Sequence, residues 1–342
     1  MKKTLGWGIL STARICRRVI PAINASGRSR VVAVASRDPR RGKEFASRWE
    51  IPRCFDSYEA LLDSPEIEVI YVPLPNHLHC EWTVRAVEAG KQVLCEKPLA
   101  LSTAEVDRVI AAARNKKAWV LEALAYRAHP QFEKLLEIVR KGEIGKVKLI
   151  RARYCFTLGA GPGNIRWRKE MGGGALWDVG GYPVSFARAV VGEAPEEVFA
   201  YLEPGATGVD VLGAGQLKYR SGVLAQIECG YCLAYGVGTE VVGENGTIAL
   251  LNPWQPDVDG KRNGLLVIAP DDQAYPVGFP PIDPYLCEVR ALEDAVLDGK
   301  PLPWTLQESR DNVAALAALH RSAASGAPVR LDADQGQDKV QA

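Results

Sequence analysis

Apolar residues follow two different rhythms along this chain. Up to about residue 122, short apolar runs (LGWGIL at 5–10, RVVAVAS at 30–36, EVIYVPL at 68–74, QVLC at 92–95, AWVLEAL at 118–124) alternate with segments whose apolar positions recur three or four residues apart. Ile15, Val19, Ile20 and Ile23 form one such segment, Phe45 and Trp49 lie on a second, and Tyr58, Leu61 and Leu62 on a third behind the capping pair Asp56-Ser57. A helix stopped by Gly90 follows Asn76, and Ser102-Thr103 opens another from Ala104 to Arg114. Strand and helix periods alternating in this way predict a right-handed, doubly wound parallel sheet.

From about residue 123 the rhythm changes. After an amphipathic helix over 131–141 and the long strand KVKLIRARYCF, apolar segments at 196–202, 211–219, 222–233, 236–243, 246–251 and 264–269 are joined by short turns such as RSG and ENG. Strands without intervening helices predict a large, mostly antiparallel sheet. Helices over Tyr285–Leu297 and Leu306–Ser322 are expected to close it, ahead of a loose tail after Leu331. The fold class is therefore α/β: a Rossmann domain over 1–122 and an α+β domain over 123–342. Leu224, Ile227 and Cys229 alternate imperfectly with Ala225 and Glu228, which makes the open sheet face a candidate surface for a homo-oligomer, dimer or tetramer.

Composition removes several classes. Of 342 residues, 47% are hydrophobic and 24% charged, and 42 Lys and Arg against 41 Asp and Glu leave a net charge of +1. No global field favours nucleic acid or an acidic membrane. No apolar run approaches a membrane helix, and the start shows no signal-peptide pattern, so a cytoplasmic protein is expected. Eight cysteines are scattered, and the lone CxxC, Cys229 and Cys232, has no second pair to complete a metal site. These read as inert thiols, with no metal.

The candidate chemistry lies at strand ends. Strand 92–95 runs into Glu96, Lys97 and Pro98, which presents a cation at the mouth of the parallel sheet, where such folds bind ligands. GWGILS between a strand and a helix is the dinucleotide-binding context: Gly6 for the tight turn, Gly8 for close approach to a pyrophosphate, and Ser11 where a third small residue belongs. Thr12 is placed to donate to a phosphate, with Ala13, Arg14 and Ile15 leading into the helix N-terminus. At the end of the second strand Ser36 stands where an NAD site has an acid, followed by Arg37 and Arg41, so NADP(H) is favoured and NAD(H) remains compatible through Asp38. Pro73 and Leu74 end the next strand, Asn76 follows, and His79 falls in the first helical turn beyond, a candidate cofactor contact or proton relay. In the second domain, GGGALWDVGGYPVSF sets Asp178 and Tyr182 four apart on a helix interrupted by Gly180 and Gly181, a local inconsistency expected where a ligand comes close.

GWGILSTARI, Pro-Asn-His-Leu-His and Cys-Glu-Lys-Pro at these spacings resemble the Gfo/Idh/MocA oxidoreductase family, over nearly the whole chain. Tyr182 is similar to the tyrosine of its glucose–fructose oxidoreductase and dihydrodiol dehydrogenase branch, and departs from the histidine of inositol dehydrogenase-like members. The resemblance implies hydride transfer between a nicotinamide and a carbinol carbon of a sugar, diol or polyol, of the kind classed under EC 1.1.1 or 1.3.1. It implies Glu96 and Lys97 beside the cofactor and a Trp-Arg pair, Trp167 and Arg168, near it. Lys97 is then the cation that lowers the Tyr182 phenol toward neutrality and grips the substrate oxygen, Asp178 holds a substrate hydroxyl, and His79 ranks lower as a relay. Also compatible are a glucose–fructose-type enzyme holding NADP tightly, a 1,5-anhydrofructose-like keto-sugar reductase and, from another class, a non-catalytic NADP(H) sensor.

Overall fold

A computed structural model describes residues 4–159, 163–271 and 273–331. The tail expected after Leu331 lies outside the described residues. The chain divides into two compact units. Unit 1 comprises Met1–Ala100, Ala104–Ala125 and Tyr285–Ser309; unit 2 comprises Leu101–Thr103, Tyr126–Pro284 and Arg310–Ala342.

Unit 1 holds β1 (Leu5–Leu10), α1 (Cys16–Ala25), β2 (Ser29–Ala35), α2 (Pro39–Arg48), β3 (Arg53–Phe55), α3 (Tyr58–Leu62), β4 (Val69–Val72), α4 (His79–Glu88), β5 (Gln92–Glu96), α5 (Thr103–Lys116) and β6 (Val120–Ala123). Its six strands lie in the order β3-β2-β1-β4-β5-β6, and every pair is parallel. β1 and β4 are buried along their whole length, as expected of strands covered on both faces. The carboxyl ends of β1 and β4 flank the point where the strand order reverses, where doubly wound sheets bind their ligands.

The first of the two helices expected to close the second domain belongs instead to this first unit, which takes in Tyr285–Ser309. Long-range polar bonds explain the allegiance. Arg28 donates to Asp294 (2.7 Å) and Asp298 (2.8 Å), Ser26 donates to the buried Glu293, and the Trp304 indole donates to the Glu122 carbonyl at 3.2 Å.

Unit 2 is built on α6 (Pro130–Arg140), β7 (Val147–Thr157), α7 (Gly181–Val191), β8 (Glu197–Pro204), β9 (Asp210–Lys218), β10 (Leu224–Gly230), β11 (Cys232–Gly243), β12 (Gly246–Leu250), β13 (Leu265–Ile268) and β14 (Ala274–Val277). Two later helices follow, α8 (Pro284–Asp298), nearly all in unit 1, and α9 (Leu306–Ser325), whose larger part is in unit 2, with the short β15 (Val329–Arg330) after them. The nine-stranded sheet runs β14-β13-β12-β11-β7-β10-β9-β8-β15; β10 pairs with β7 in parallel and the other pairs are antiparallel. β10 alternates cleanly: Ala225, Ile227 and Cys229 point inward while Leu224, Gln226 and Glu228 are exposed. α9 seals the inner face beside α7, since Ser322 accepts from the Ala200 amide and Arg188 of α7 donates to Asp311 and Asn312. The outer face carries Tyr201, 71% exposed and edge-on to Phe199, together with the half-exposed Leu224.

Candidate active site

In unit 1 the nucleotide turn lies further along than the glycines suggest. Gly6 and Gly8 are interior residues of β1, and neither makes the turn. A Cβ on Gly6 would lie 2.2 Å from the Glu66 carbonyl, and one on Gly8 2.7 Å from the Leu61 side chain, so both are glycines for packing. The turn begins at Ser11, which takes φ +99°, the conformation a fingerprint glycine would supply. Ser11 is pinned there: its amide donates to the Ala35 carbonyl and its hydroxyl to the Pro73 carbonyl (3.1 Å), which ties together the ends of β1, β2 and β4. Ser11, Ala13 and the buried Cys16 stand at the G-x-G-x-x-G spacing with small residues in place of all three glycines. α1 has no side-chain cap and no acid in its first turn, and the Thr12, Arg14 and Ile15 amides have no acceptor among the described residues. That is a cradle for a phosphate.

At the end of β2, Ser36 is buried and accepts from the Asp38 amide (3.2 Å). The Asp38 carboxylate is engaged by its own helix, capping the Arg40 and Arg41 amides and pairing with the Arg41 guanidinium at 3.5 Å. Arg37 and Arg41 are exposed at this corner.

The loop after β5 is held at three points. Tyr71 donates to Glu96 at 2.5 Å, and burial together with that carboxylate pushes its phenol pKa well up. The Leu99 amide donates to the buried Glu122 carboxylate (3.0 Å). The ring nitrogens of His79 each lie 2.7 Å from a carbonyl, Pro98 on one side and Leu74 on the other. Lys97, half-buried, sits among these anchors, with its peptide to Pro98 cis. His79 is therefore placed as a brace between strand ends rather than as a proton relay, since the ring is buried and each nitrogen faces a carbonyl, to one of which the single N–H of a neutral ring donates. Burial, helped by Lys97 and His77, lowers its pKa to about 4 against the two carbonyls, so at neutral pH the ring is uncharged.

In unit 2, the helix expected over 176–190 starts as a π-helical turn, Leu176–Gly180, before α7 takes over. Such turns are frequent at functional sites. The wider turn sends the Asp178 carboxylate and the Tyr182 ring to different neighbours. Asp178, buried, accepts from Arg166 Nε at 2.5 Å and from the Tyr231 hydroxyl at 2.9 Å. The same hydroxyl lies 3.0 Å from the Gly174 carbonyl. The Tyr182 ring, half-buried, packs edge-on against Tyr154 (5.2 Å) and beside Trp254 (5.7 Å) and Tyr126 (6.0 Å). Arg166 connects the two groups electrostatically. Asp178 raises its pKa most, Tyr231 and Tyr182 add to this, and the guanidinium stays charged throughout.

The two residues of the Trp-Arg pair face different neighbours. Trp167 does join the cluster, edge-on to Tyr231 at 5.5 Å, but Arg168 points away to the exposed Glu170 at 2.6 Å. Arg166, two positions earlier in the same R-W-R run, is the arginine that pairs with Asp178. Tyr231 was hidden between Cys229, buried, and Cys232, exposed; the cysteines are free thiols. No group of three or more His, Cys, Asp or Glu suited to a metal occurs among the described residues. In sequence, only the R-W-R spacing hinted at Arg166, and nothing local hinted at Tyr231, Asp210 or Trp254.

Residues 5–124 match the family model described as oxidoreductase family, NAD-binding Rossmann fold, and residues 132–249 match the GFO/IDH/MocA C-terminal domain. The chain is 36% identical over 328 residues to D-xylose 1-dehydrogenase (NADP(+)) 2 of Haloferax volcanii, covering 95% of this chain and 99% of that one. It is 37% identical over 263 residues to trans-1,2-dihydrobenzene-1,2-diol dehydrogenase of Xenopus laevis, covering 75% and 79%. Among solved structures, KijD10, a 3-ketoreductase from Actinomadura kijaniata in complex with NADP and TDP-benzene, superposes with a TM-score of 0.86 at 31% identity, over 94% of this chain and 98% of that one.

Proposed function

This chain belongs to the Gfo/Idh/MocA oxidoreductase family, and from that premise we propose that it is an NADP(H)-preferring dehydrogenase or reductase acting on the carbinol or carbonyl carbon of a sugar or diol. The nicotinamide, when bound, supplies or accepts the hydride. Every other task falls to the chain. The 12–15 turn and the α1 N-terminus hold the pyrophosphate, while Ser36, Arg37 and Arg41 favour a 2′-phosphate. Pro73, Leu74, Asn76 and Glu96 line the same carboxyl edge. Lys97 grips the reacting oxygen, and Tyr182 gives or takes its proton. Asp178, oriented by Arg166 and Tyr231, holds a neighbouring substrate hydroxyl.

The observation that carries this reading is how Lys97 is held. Three buried anchors on Glu96, Pro98 and Leu99 fix the backbone around one half-buried ammonium at the carboxyl edge of a nucleotide-binding sheet. Generic packing would not need that arrangement. The test follows nicotinamide absorbance across aldoses, dihydrodiols, inositols and keto-sugars, with NADP and NAD in parallel. The most active pair is then repeated with Lys97→Met, which is expected to bind NADP(H) normally and lose at least about a hundredfold in turnover, the scale of positioned acid–base groups. Equal turnover in that variant sinks the assignment.

We further propose that the protein self-associates through the outer face of the nine-stranded sheet, where Tyr201 and Leu224 are exposed. No helix among the described residues is long and apolar enough to cross a membrane.

A further inference from the structure

The π-helical turn that carries Asp178 does not hold itself. Its backbone is fastened by a second aspartate, 32 positions further along the chain. Asp210, at the start of β9 and buried, accepts from the Leu176 amide at 2.6 Å and also from the Ala175 amide. Gly174, at φ +119°, lies so close that a Cβ there would sit 2.2 Å from Asp210 Oδ1. The Gly174 carbonyl in turn accepts from the Asp178 amide (3.1 Å) and lies 3.0 Å from the Tyr231 hydroxyl that donates to Asp178. Trp177, between the two halves of this arrangement, stacks on His320 of α9 at 5.2 Å, and His320 lies within electrostatic reach of Asp210.

We propose that Asp210 is the positioning residue for Asp178: its carboxylate fixes Gly174–Leu176, and through them the direction in which the Asp178 carboxylate meets Arg166 and Tyr231. The alternative, plain stabilisation of the helix start, fails to explain the geometry. An ordinary cap would face a regular α-turn and would not require a glycine at positive φ pressed against it. The proposal rests on the reading of Asp178 as the group that holds a substrate hydroxyl.

The test is a double-mutant cycle with NADP and the best substrate of the panel. Asp210→Ala is expected to lower kcat/KM about 10- to 100-fold, the scale of a misplaced functional group, while NADP binding stays unchanged. In a background carrying Asp178→Asn, the same change is expected to cost little further, because its effect passes through Asp178. Asp210→Asn, which retains an acceptor oxygen for the Leu176 amide, is expected to recover most of the loss. Full additivity of Asp210→Ala and Asp178→Asn overturns the proposal, as does an Asn variant no better than Ala. If Asp210→Ala does not fold, Gly174→Ala perturbs the same contact from the other side and enters the same cycle. A crystal structure of either variant is independent of turnover: Asp178 Oδ2 displaced from Tyr231 supports the proposal, and Asp178 unmoved refutes it. If the wild-type protein turns over nothing in the panel, the functional reading falls and the crystallographic result still decides the positioning.

Discussion

Replacing Arg166 and Arg168 separately by methionine tests which arginine of the R-W-R run serves the site. Removing one partner of a fully buried ion pair costs about 3–5 kcal/mol, because the other charge is left stranded. Arg166 falls short of that limit, since its side chain is 42% exposed while that of Asp178 is 11% exposed. Water can enter where Nε was, and Tyr231 still donates to the carboxylate. A loss of about 1–2 kcal/mol is the appropriate scale, near that of one charge-assisted hydrogen bond. For a unit of this size that corresponds to roughly 2–8 °C in Tm. Arg168 pairs with Glu170 at 49% and 62% exposure, and such surface pairs contribute at most about 1 kcal/mol, usually less. The expected outcome is an Arg166→Met protein with a lowered Tm and kcat/KM reduced about tenfold, carried by loss of Asp178 orientation, with NADP affinity intact. Arg168→Met should match the wild type within a factor of two or so. Thermal unfolding by circular dichroism and steady-state kinetics on the same preparations decide it. A larger effect at Arg168 than at Arg166 would refute the assignment.

Two further outcomes follow from unit 1. Ser36→Asp places a carboxylate where the 2′-phosphate would bind, and the ratio of kcat/KM for NADP to that for NAD is expected to fall at least about tenfold; an unchanged ratio removes the NADP argument. His79 is neutral in the folded protein with a pKa of about 4 against an ordinary 6.5, so between those values the unfolded chain binds the extra proton. Its contribution to stability is complete above pH 6.5 and is lost as pH falls toward 4, a change of roughly 3 kcal/mol. Chemical denaturation at several pH values should show a shallower slope in His79→Asn than in the wild type, the remainder coming from groups such as His129 and His320, whose pKa values burial also lowers; the same slope in both proteins contradicts the assignment.

The parallel, doubly wound character of the first sheet was legible because each long strand and helix carries its own period, and alternation admits few topologies, whereas the three-residue β3 (Arg53–Phe55) is too short to carry one. The nucleotide turn was misplaced by a few residues for an equally physical reason. Gly6 and Gly8 attract attention as turn formers, yet what requires them is the Glu66 carbonyl and the Leu61 and Ile67 side chains, contacts made 53 to 60 residues away. The residue that takes positive φ is Ser11, and its tolerance comes from bonds to Ala35 and Pro73 that no local rule reveals. In the second unit Asp178 and Tyr182 were found from their glycine-rich surroundings. Their partners were not, because Tyr231 meets Asp178 across 53 positions and R-W-R offers two arginines with the same local credentials. The allegiance of 285–309 to unit 1 rests on side-chain bonds such as Arg28 to Asp294, which leave no periodic trace.

Burial supplies the remaining argument about function. A buried polar group costs stability unless bonded, and replacing a bonded pair by apolar residues of the same shape is often close to neutral. Stability alone therefore gives a fold little reason to surround one strand-end loop with Glu122, His79 and Tyr71, or one helical turn with Asp210 and Tyr231. All five are buried, and the bonds described here are aimed at backbone atoms or carboxylates next to Lys97 and Asp178 rather than at one another. The two groups proposed to act on the reacting oxygen and its proton, Lys97 and Tyr182, are by contrast only half-buried. Rigid, buried supports beneath partly open reactive groups are what preorganisation demands, since a catalytic side chain must be reachable while its backbone cannot afford to move.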